Sequence, residues 1–245
     1  MSWQIHSFTS DSLLVEELAA DISRHLQAAI DSRGQASLAV SGGRTPLLLF
    51  DRLSAAVIEW QKVTVTLVDE RWVDEDHPDS NASLVKSCLL KGPAVRARFL
   101  GLKTPQADPF SAVDQVERAL GSLPLPLDVV VLGMGLDGHT ASFFPAARGV
   151  DQALDPATAR LCSAVEPTTA PHPRITLTLP VILAARRLYL HIAGPGKKAV
   201  LDQATATGVP ADTKVPGQRQ LPIGTVLQQS PGAVQIYYAE NGVTL

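Results

Sequence analysis

The chain has 245 residues, 45% hydrophobic and 18% charged, enough apolar material for a buried core and too balanced a composition for global disorder. A formal net charge of −3 and a pI of about 6.1 exclude the basic surface that non-specific nucleic-acid binding requires, while leaving room for a local cationic pocket. No apolar run approaches the roughly 18 residues of a membrane helix, the N-terminus lacks a leader pattern, and Cys88 and Cys162 show no metal-type spacing, so a cytoplasmic protein with two reduced thiols is expected.

Residues 3–8 alternate weakly and predict a short edge strand. Ser10, Asp11 and Ser12 are N-cap candidates for a helix to about Ser32, with Leu14, Leu18, Ile22, Leu26 and Ile30 on one face and Gly34 as its stop. Ala36–Val40 predicts a strand that runs into Ser41-Gly42-Gly43-Arg44-Thr45-Pro46 and a helix over Leu47–Ile58, with Pro46 suited to the first turn. Small residues at a helix N-terminus leave backbone N–H groups free for an anion. The same stretch also reads as a plain Gly-rich turn; it is not a Walker loop and has no GxGxxG. Val63–Val68 predicts the next buried strand, ending at Asp69-Glu70-Arg71-Trp72, either a ligand crevice or an Arg71–carboxylate pair that fixes the loop. A surface loop is expected over Asp74–Asn81, a Ser80-Asn81 cap before a helix over Leu84–Leu90, a short strand at Arg98–Leu100 and an amphipathic helix over Pro109–Leu120.

The most informative stretch follows. A β-branched run, Val129–Leu132, stops at Gly133-Met134-Gly135; Asp137 and His139 come next, and Thr140-Ala141-Ser142 reads as the start of a helix. Strand, glycine turn, polar cluster and helix is how an α/β sheet presents chemistry at the carboxyl ends of its strands. Beyond it, Gly149–Ala159 predicts loop or broken helix and Arg160–Val165 a strand. Pro171-His172-Pro173-Arg174 leads into a strand over Ile175–Leu179, where a lone arginine is usually a surface charge. Arg187–Ala193 predicts a strand ending at Gly194-Pro195-Gly196-Lys197-Lys198, with a helix over Ala199–Ala206. Two lysines at a helix start oppose the macrodipole, which calls for an outside anion or a solvated position. A loop over Val209–Gln220, a short helix to Gln229 and a closing strand over Ala233–Ala239 complete the chain.

Alternating strands and helices predict one α/β domain over residues 1–245, built on a mostly parallel sheet. SGGRTP, DERW, GMGLDGH and GPGKK would then face one crevice. Ser41, Gly42, Gly43 and Lys197, with Arg174, suit a phosphate; His139 and Asp137 suit proton transfer; Arg71 suits a developing oxyanion. Acid–base chemistry on a phosphorylated small molecule is the reading. No metal is expected: His6, His25, His77, His172 and His191 are scattered without ligand spacing, and His191 lies on an apolar strand as a core residue would. A nucleophilic serine triad is disfavoured, because no GxSxG elbow is present.

SGGRTP, DERWV with a later SN, LGMGLDGHTASFFP, PRITLTLP, AGPGKKAVL and LPIGTVL, in this order from about Phe8 to Tyr238, resemble the 6-phosphogluconolactonase family, which shares a superfamily with glucosamine-6-phosphate deaminases. The resemblance implies a doubly wound, Rossmann-like α/β fold without a bound nucleotide, no cofactor, and hydrolysis of 6-phospho-D-glucono-1,5-lactone to 6-phosphogluconate. It matches His139 to the base that activates water, Arg71 to the residue that steadies the oxyanion or substrate, and Ser41, Gly42 and Gly43 to the phosphate-side loop. Arg174 and Lys197 (or Lys198) match the cationic phosphate contacts; Asp137 would orient His139, and Asp69 would line the pocket. The expected partner is a small-molecule sugar phosphate lactone, with no nucleic acid and no membrane, for a monomer or weak homodimer. Two alternatives share this resemblance. The deaminases read DEY and GHIAFNEP where this chain has DER and GHTASFFP, and a non-catalytic sugar-phosphate sensor would use the same fold to bind without turnover.

Overall fold

The structure is a computed structural model that describes residues 3–206, 221–230, 232 and 234–241. Strand β1 (Trp3–Ser10) passes into helix α1 (Asp11–Arg33), whose N-cap Ser10 accepts the Leu13 N–H and whose C-cap Gly34, at φ 74°, donates to the Ile30 carbonyl at 2.7 Å. Leu14, Leu18, Ile22, Leu26 and Ile30 are all buried, as their spacing predicts. Strands β2 (Ala36–Val40), β3 (Val63–Leu67), β5 (Arg98–Leu100), β6 (Val129–Leu132), β9 (Arg187–Ala193) and β10 (Val234–Asn241) join β1 in a seven-stranded parallel sheet of order β1-β10-β9-β6-β2-β3-β5. With β1 set aside as an edge strand, the chain order across the sheet is third, second, first, fourth, fifth, sixth. That is the doubly wound order, and its crevice opens where the order reverses, between β2 and β6. At the opposite end of these two strands, the buried Asp128 carboxylate accepts from the Ser37 N–H at 2.8 Å and pairs with Arg33 and Arg186.

Flanking helices follow the expected alternation, with corrected bounds. Helix α2 covers Leu47–Ser54, with Pro46 as its N-cap, and stops short of Ile58 because the Trp60 Nε1–H takes the Ala56 carbonyl and seats the indole in the core. Helix α3 covers Asn81–Cys88 and α4 Pro109–Leu120. Helix α5 covers Val150–Leu154, and a short helix not anticipated from sequence, α6 (Leu179–Leu183), takes the end of the strand expected over Ile175–Leu179. Helices α7 (Pro195–Thr205) and α8 (Pro222–Gln229) complete the set. The helix expected to start at Thr140 does not form. Ala141 has φ 50°, Thr140 bridges Phe143, and the Thr140 hydroxyl donates to the Gly133 carbonyl at 2.7 Å. The turn that results buries both Phe143 and Phe144, which a helix from Thr140 would place on successive directions around its axis.

A second sheet was not anticipated. Asp69–Arg71 is a strand of its own, β4, antiparallel to β8 (Arg174–Leu177), which pairs in turn with β7 (Cys162–Val165). The loop expected over Val209–Gln220 and the strand start at Ala233 lie outside the described residues. Among the described residues no helix is long and apolar enough to cross a membrane.

Both cysteines are free, and burial pushes the Cys162 thiol up to about 12. Thiol titration at pH 8 should therefore leave Cys162 unmodified in the native protein and reach it only in denaturant; rapid native modification of Cys162 would show that β7 opens readily.

Candidate active site

The four strand junctions meet. A cleft of about 290 Å³ at the β2–β6 reversal is lined by Ser41, Gly42, Gly43, Asp69, Arg71, His139, Arg174 and Lys197, among others. Asp137 stands behind His139.

Ser41 stitches the two strands at the crevice: its N–H donates to the Val131 carbonyl at 3.1 Å, and its hydroxyl oxygen accepts the Gly133 N–H at 3.3 Å. The hydroxyl proton remains available to a ligand. Gly42 is required by close approach, since a Cβ there would lie 1.8 Å from Asn81 Oδ1. Asn81 is held by a 2.8 Å bond from its Nδ2 to the Asp69 carbonyl. Lys197 is half-buried, and its Nζ donates to Thr45 Oγ1 at 3.0 Å. Burial first, then the neighbouring Arg44, hold its pKa below the ordinary lysine value. Lys198 instead reaches the exposed Asp202 carboxylate at 2.6 Å. The lysine pair thus divides as the helix macrodipole demands, one toward solvent and one toward a place for an anion.

The small sheet supplies the other cations. Arg71 and Arg174 are direct register partners across β4 and β8, two like charges side by side. Arg174 is only 6% exposed, contrary to a surface charge, and desolvation lowers its pKa. Its nearest carboxylate is Asp69, 3.8 Å away, which also accepts from the Ser142 hydroxyl at 2.5 Å. Arg71 Nη1 donates to the Asp79 carbonyl at 2.6 Å. Glu70 faces the other way: its carboxylate accepts the N–H groups of Arg71, Asn81 and Ala82 at 2.7–2.8 Å and anchors the start of α3. That burial raises the Glu70 pKa. Of the DERW cluster, then, Asp69 and Arg71 serve the cleft and Glu70 the scaffold. Trp72 is core, 8% exposed.

His139 Nδ1 lies 2.5 Å from Asp137 Oδ1, which also accepts the His139 N–H at 3.2 Å. A carboxylate can only accept, so Nδ1 carries a proton, and in the neutral ring Nε2 is the nitrogen left with a lone pair. The ring stacks on Phe144, with centroids 4.1 Å apart at 23°, and a Cβ on Gly135 would lie 2.3 Å from it. The imidazole is thus fixed by a carboxylate, a phenyl face and a glycine that makes room for it.

Among the described residues, the buried side-chain polar atoms without a hydrogen-bond partner are Arg71 Nε, Asn81 Oδ1, Arg174 Nε and His191 Nδ1. All four belong to residues that line this cleft. Stranded polar atoms are costly, and their gathering in one place marks a site built for a polar occupant. Sequence reasoning missed Asn81 and His191 as cleft residues. Asn81 reads from sequence as a helix cap and as part of the later SN, with no role at the cleft, and His191 is indeed core, 2% exposed and 3.4 Å from Asp11, yet it sits near the carboxyl end of β9. Arg44 and Thr45, in the SGGRTP motif itself, also line the cleft.

An α/β crevice with four cationic side chains, one lining carboxylate and an oriented imidazole has the make-up of a site for a small anionic metabolite, with a group beside it that can accept a proton. Comparison with known proteins narrows it. Residues 9–234 match the family described as glucosamine-6-phosphate isomerases/6-phosphogluconolactonase. A 6-phosphogluconolactonase of Rhizobium meliloti is 46% identical over 239 residues, covering 98% of this chain and 100% of the relative. One from Pseudomonas aeruginosa is 44% identical, covering 86% and 85%. The crystal structure of a 6-phosphogluconolactonase from Shewanella baltica superposes with a TM-score of 0.90 at 43% identity, over 97% of each chain. The chain belongs to the glucosamine-6-phosphate isomerase/6-phosphogluconolactonase family.

Proposed function

We propose that this protein is a lactone hydrolase that converts 6-phospho-D-glucono-1,5-lactone to 6-phospho-D-gluconate in the oxidative branch of the pentose phosphate pathway, with His139 as the base. The observation that carries the mechanism is the His139–Asp137 pair, which fixes a basic Nε2 in a cleft rich in cations. Nε2 takes a proton from water as the water oxygen attacks the lactone carbonyl. Arg71 stabilises the resulting oxyanion. The tetrahedral centre collapses, the ring C–O bond breaks, and the imidazolium returns its proton to the departing ring oxygen. Lys197, Thr45 and the Ser41–Gly43 loop hold the phosphate, with Arg174 contributing charge from the small sheet.

The segment after His139 separates this chemistry from deamination. Thr140–Pro145 offers hydroxyls and two buried phenyl rings, and its Ser142 is spent on Asp69. It holds no carboxylic acid to manage ring opening and isomerisation, whereas ester hydrolysis needs only activated water and oxyanion support.

The test is to generate the lactone in situ and follow its loss above the spontaneous rate. Acceleration supports the reading; no acceleration, with turnover of glucosamine 6-phosphate, overturns it. Within the same assay, Lys197→Ala should raise KM about 10- to 100-fold with a smaller change in kcat, the expected loss for a charge-assisted phosphate contact. An unchanged KM would send the phosphate elsewhere.

A further inference from the structure

Two of the histidines that look scattered in sequence come together in the fold. His77 lies in the loop between β4 and α3, His172 in the loop between β7 and β8, and Asp79 stands between them. His172 Nε2 is 2.9 Å from Asp79 Oδ2, and His77 Nδ1 is 3.9 Å from the same oxygen. The two rings meet edge to face, 5.2 Å between centroids at 80°. One ligand atom from each residue falls within 4.8 Å of the others, and all three are intermediate in burial, with the Asp79 carboxylate open to solvent on one side. Metal–ligand bonds of about 2.0–2.2 Å in a tetrahedral site put donor atoms roughly 3.4 Å apart, between the two separations observed. His172 holds φ 67° between two prolines, a conformation uncommon for a residue with a side chain and one that the surroundings must enforce.

We propose that His77, Asp79 and His172 form a binding site for one divalent ion of the zinc class, separate from the catalytic cleft. Two imidazoles and a carboxylate are the donor set that such an ion selects over magnesium or calcium, with water completing the coordination. Binding exchanges the hydrogen bond from the Asp79 N–H to His77 Nδ1 (3.0 Å) for a metal–nitrogen bond. The ion ties together two loops that back the cationic pair. The Asp79 carbonyl receives Arg71 Nη1 at 2.6 Å, and the Pro171 carbonyl receives Arg174 Nη2 at 3.3 Å. A metal here fixes the carbonyls against which both arginines are aimed, and takes no part in the hydrolytic step.

The experiment uses the full chain, freed of metal by chelation and titrated with zinc chloride, read by calorimetry and by the melting temperature. One equivalent should bind, and the melting temperature should rise with zinc. His77→Asn and His172→Asn should each weaken binding by about tenfold or more, since each removes an imidazole ligand. Asparagine is chosen because it tolerates positive φ at 172 and can still accept the Asp79 N–H from 77. His77→Asn lies on a half-buried surface loop and keeps the test alive if the variant at 172 folds poorly. Absence of saturable binding overturns the site and leaves the cluster a hydrogen-bonded clip. Binding that survives both substitutions but is lost in His139→Asn also overturns it, by moving the ion to the catalytic imidazole.

Discussion

His139→Ala is expected to lower kcat for the lactone by about 10²- to 10⁴-fold, the usual worth of a positioned base, while leaving the melting temperature nearly unchanged. The imidazole is part-exposed and its partners are a surface carboxylate and one face of Phe144, so its removal opens no deep cavity. KM should move little, because the cations of the cleft stay in place. The measurement is lactone loss above the spontaneous background, wild type beside variant. A variant that turns over at nearly the wild-type rate would leave the family activity intact and remove His139 from the role of base.

Gly42→Ala should show the second large effect, through packing. The new methyl would fall 1.8 Å from Asn81 Oδ1, so the Asn81 amide must leave its bond to the Asp69 carbonyl, or the 41–46 loop or α3 must move. Overpacking of this kind costs about 1–3 kcal/mol. It should also reduce turnover, because Asn81 is bonded to the Asp69 carbonyl and α3 is anchored through Glu70 to the strand that carries Arg71. Asn81→Ala removes the obstructing atom. Urea unfolding of the two single variants and the double variant should therefore give a double variant more stable than the sum of its parts by at least about 0.5 kcal/mol. Strictly additive costs would mean that the loop absorbs the methyl without meeting Asn81.

The parallel sheet was legible because its inner strands β2, β3, β6 and β9 are short, largely buried apolar runs, and because each of these four leads into a Gly-rich or charged turn. Those turns also carried most of the site: loop 41–43, Asp69, Arg71, His139 and Lys197 all reach the cleft. The small antiparallel sheet was not legible. Asp69–Arg71 has three residues and two acids, a composition that argues against a strand, and only its pairing with β8 makes it one. Arg174 reads locally as a surface charge for the same reason, since nothing near it in sequence says that its strand is covered; only its place among the cationic contacts puts it in the cleft, where it lies 6% exposed. The helix expected at Thr140 failed because local polarity suggested a cap, whereas the burial of Phe143 and Phe144 decided the backbone. His77 and His172 lie 95 positions apart, so no spacing rule could join them.

The charge arrangement has a consequence for traffic. A chain of net charge −3 concentrates four cations at the mouth and walls of one cleft, so its attraction for a phosphate ester is short in range. At physiological salt the field fades within about 8 Å, and capture is decided only when the substrate is already at the rim. The substrate is an ester that water destroys unaided, so the protein competes against a clock, and the speed of capture matters as much as the depth of binding. Added salt should slow that capture before it slows the chemistry, and the product leaves with one more negative charge than the lactone brought in.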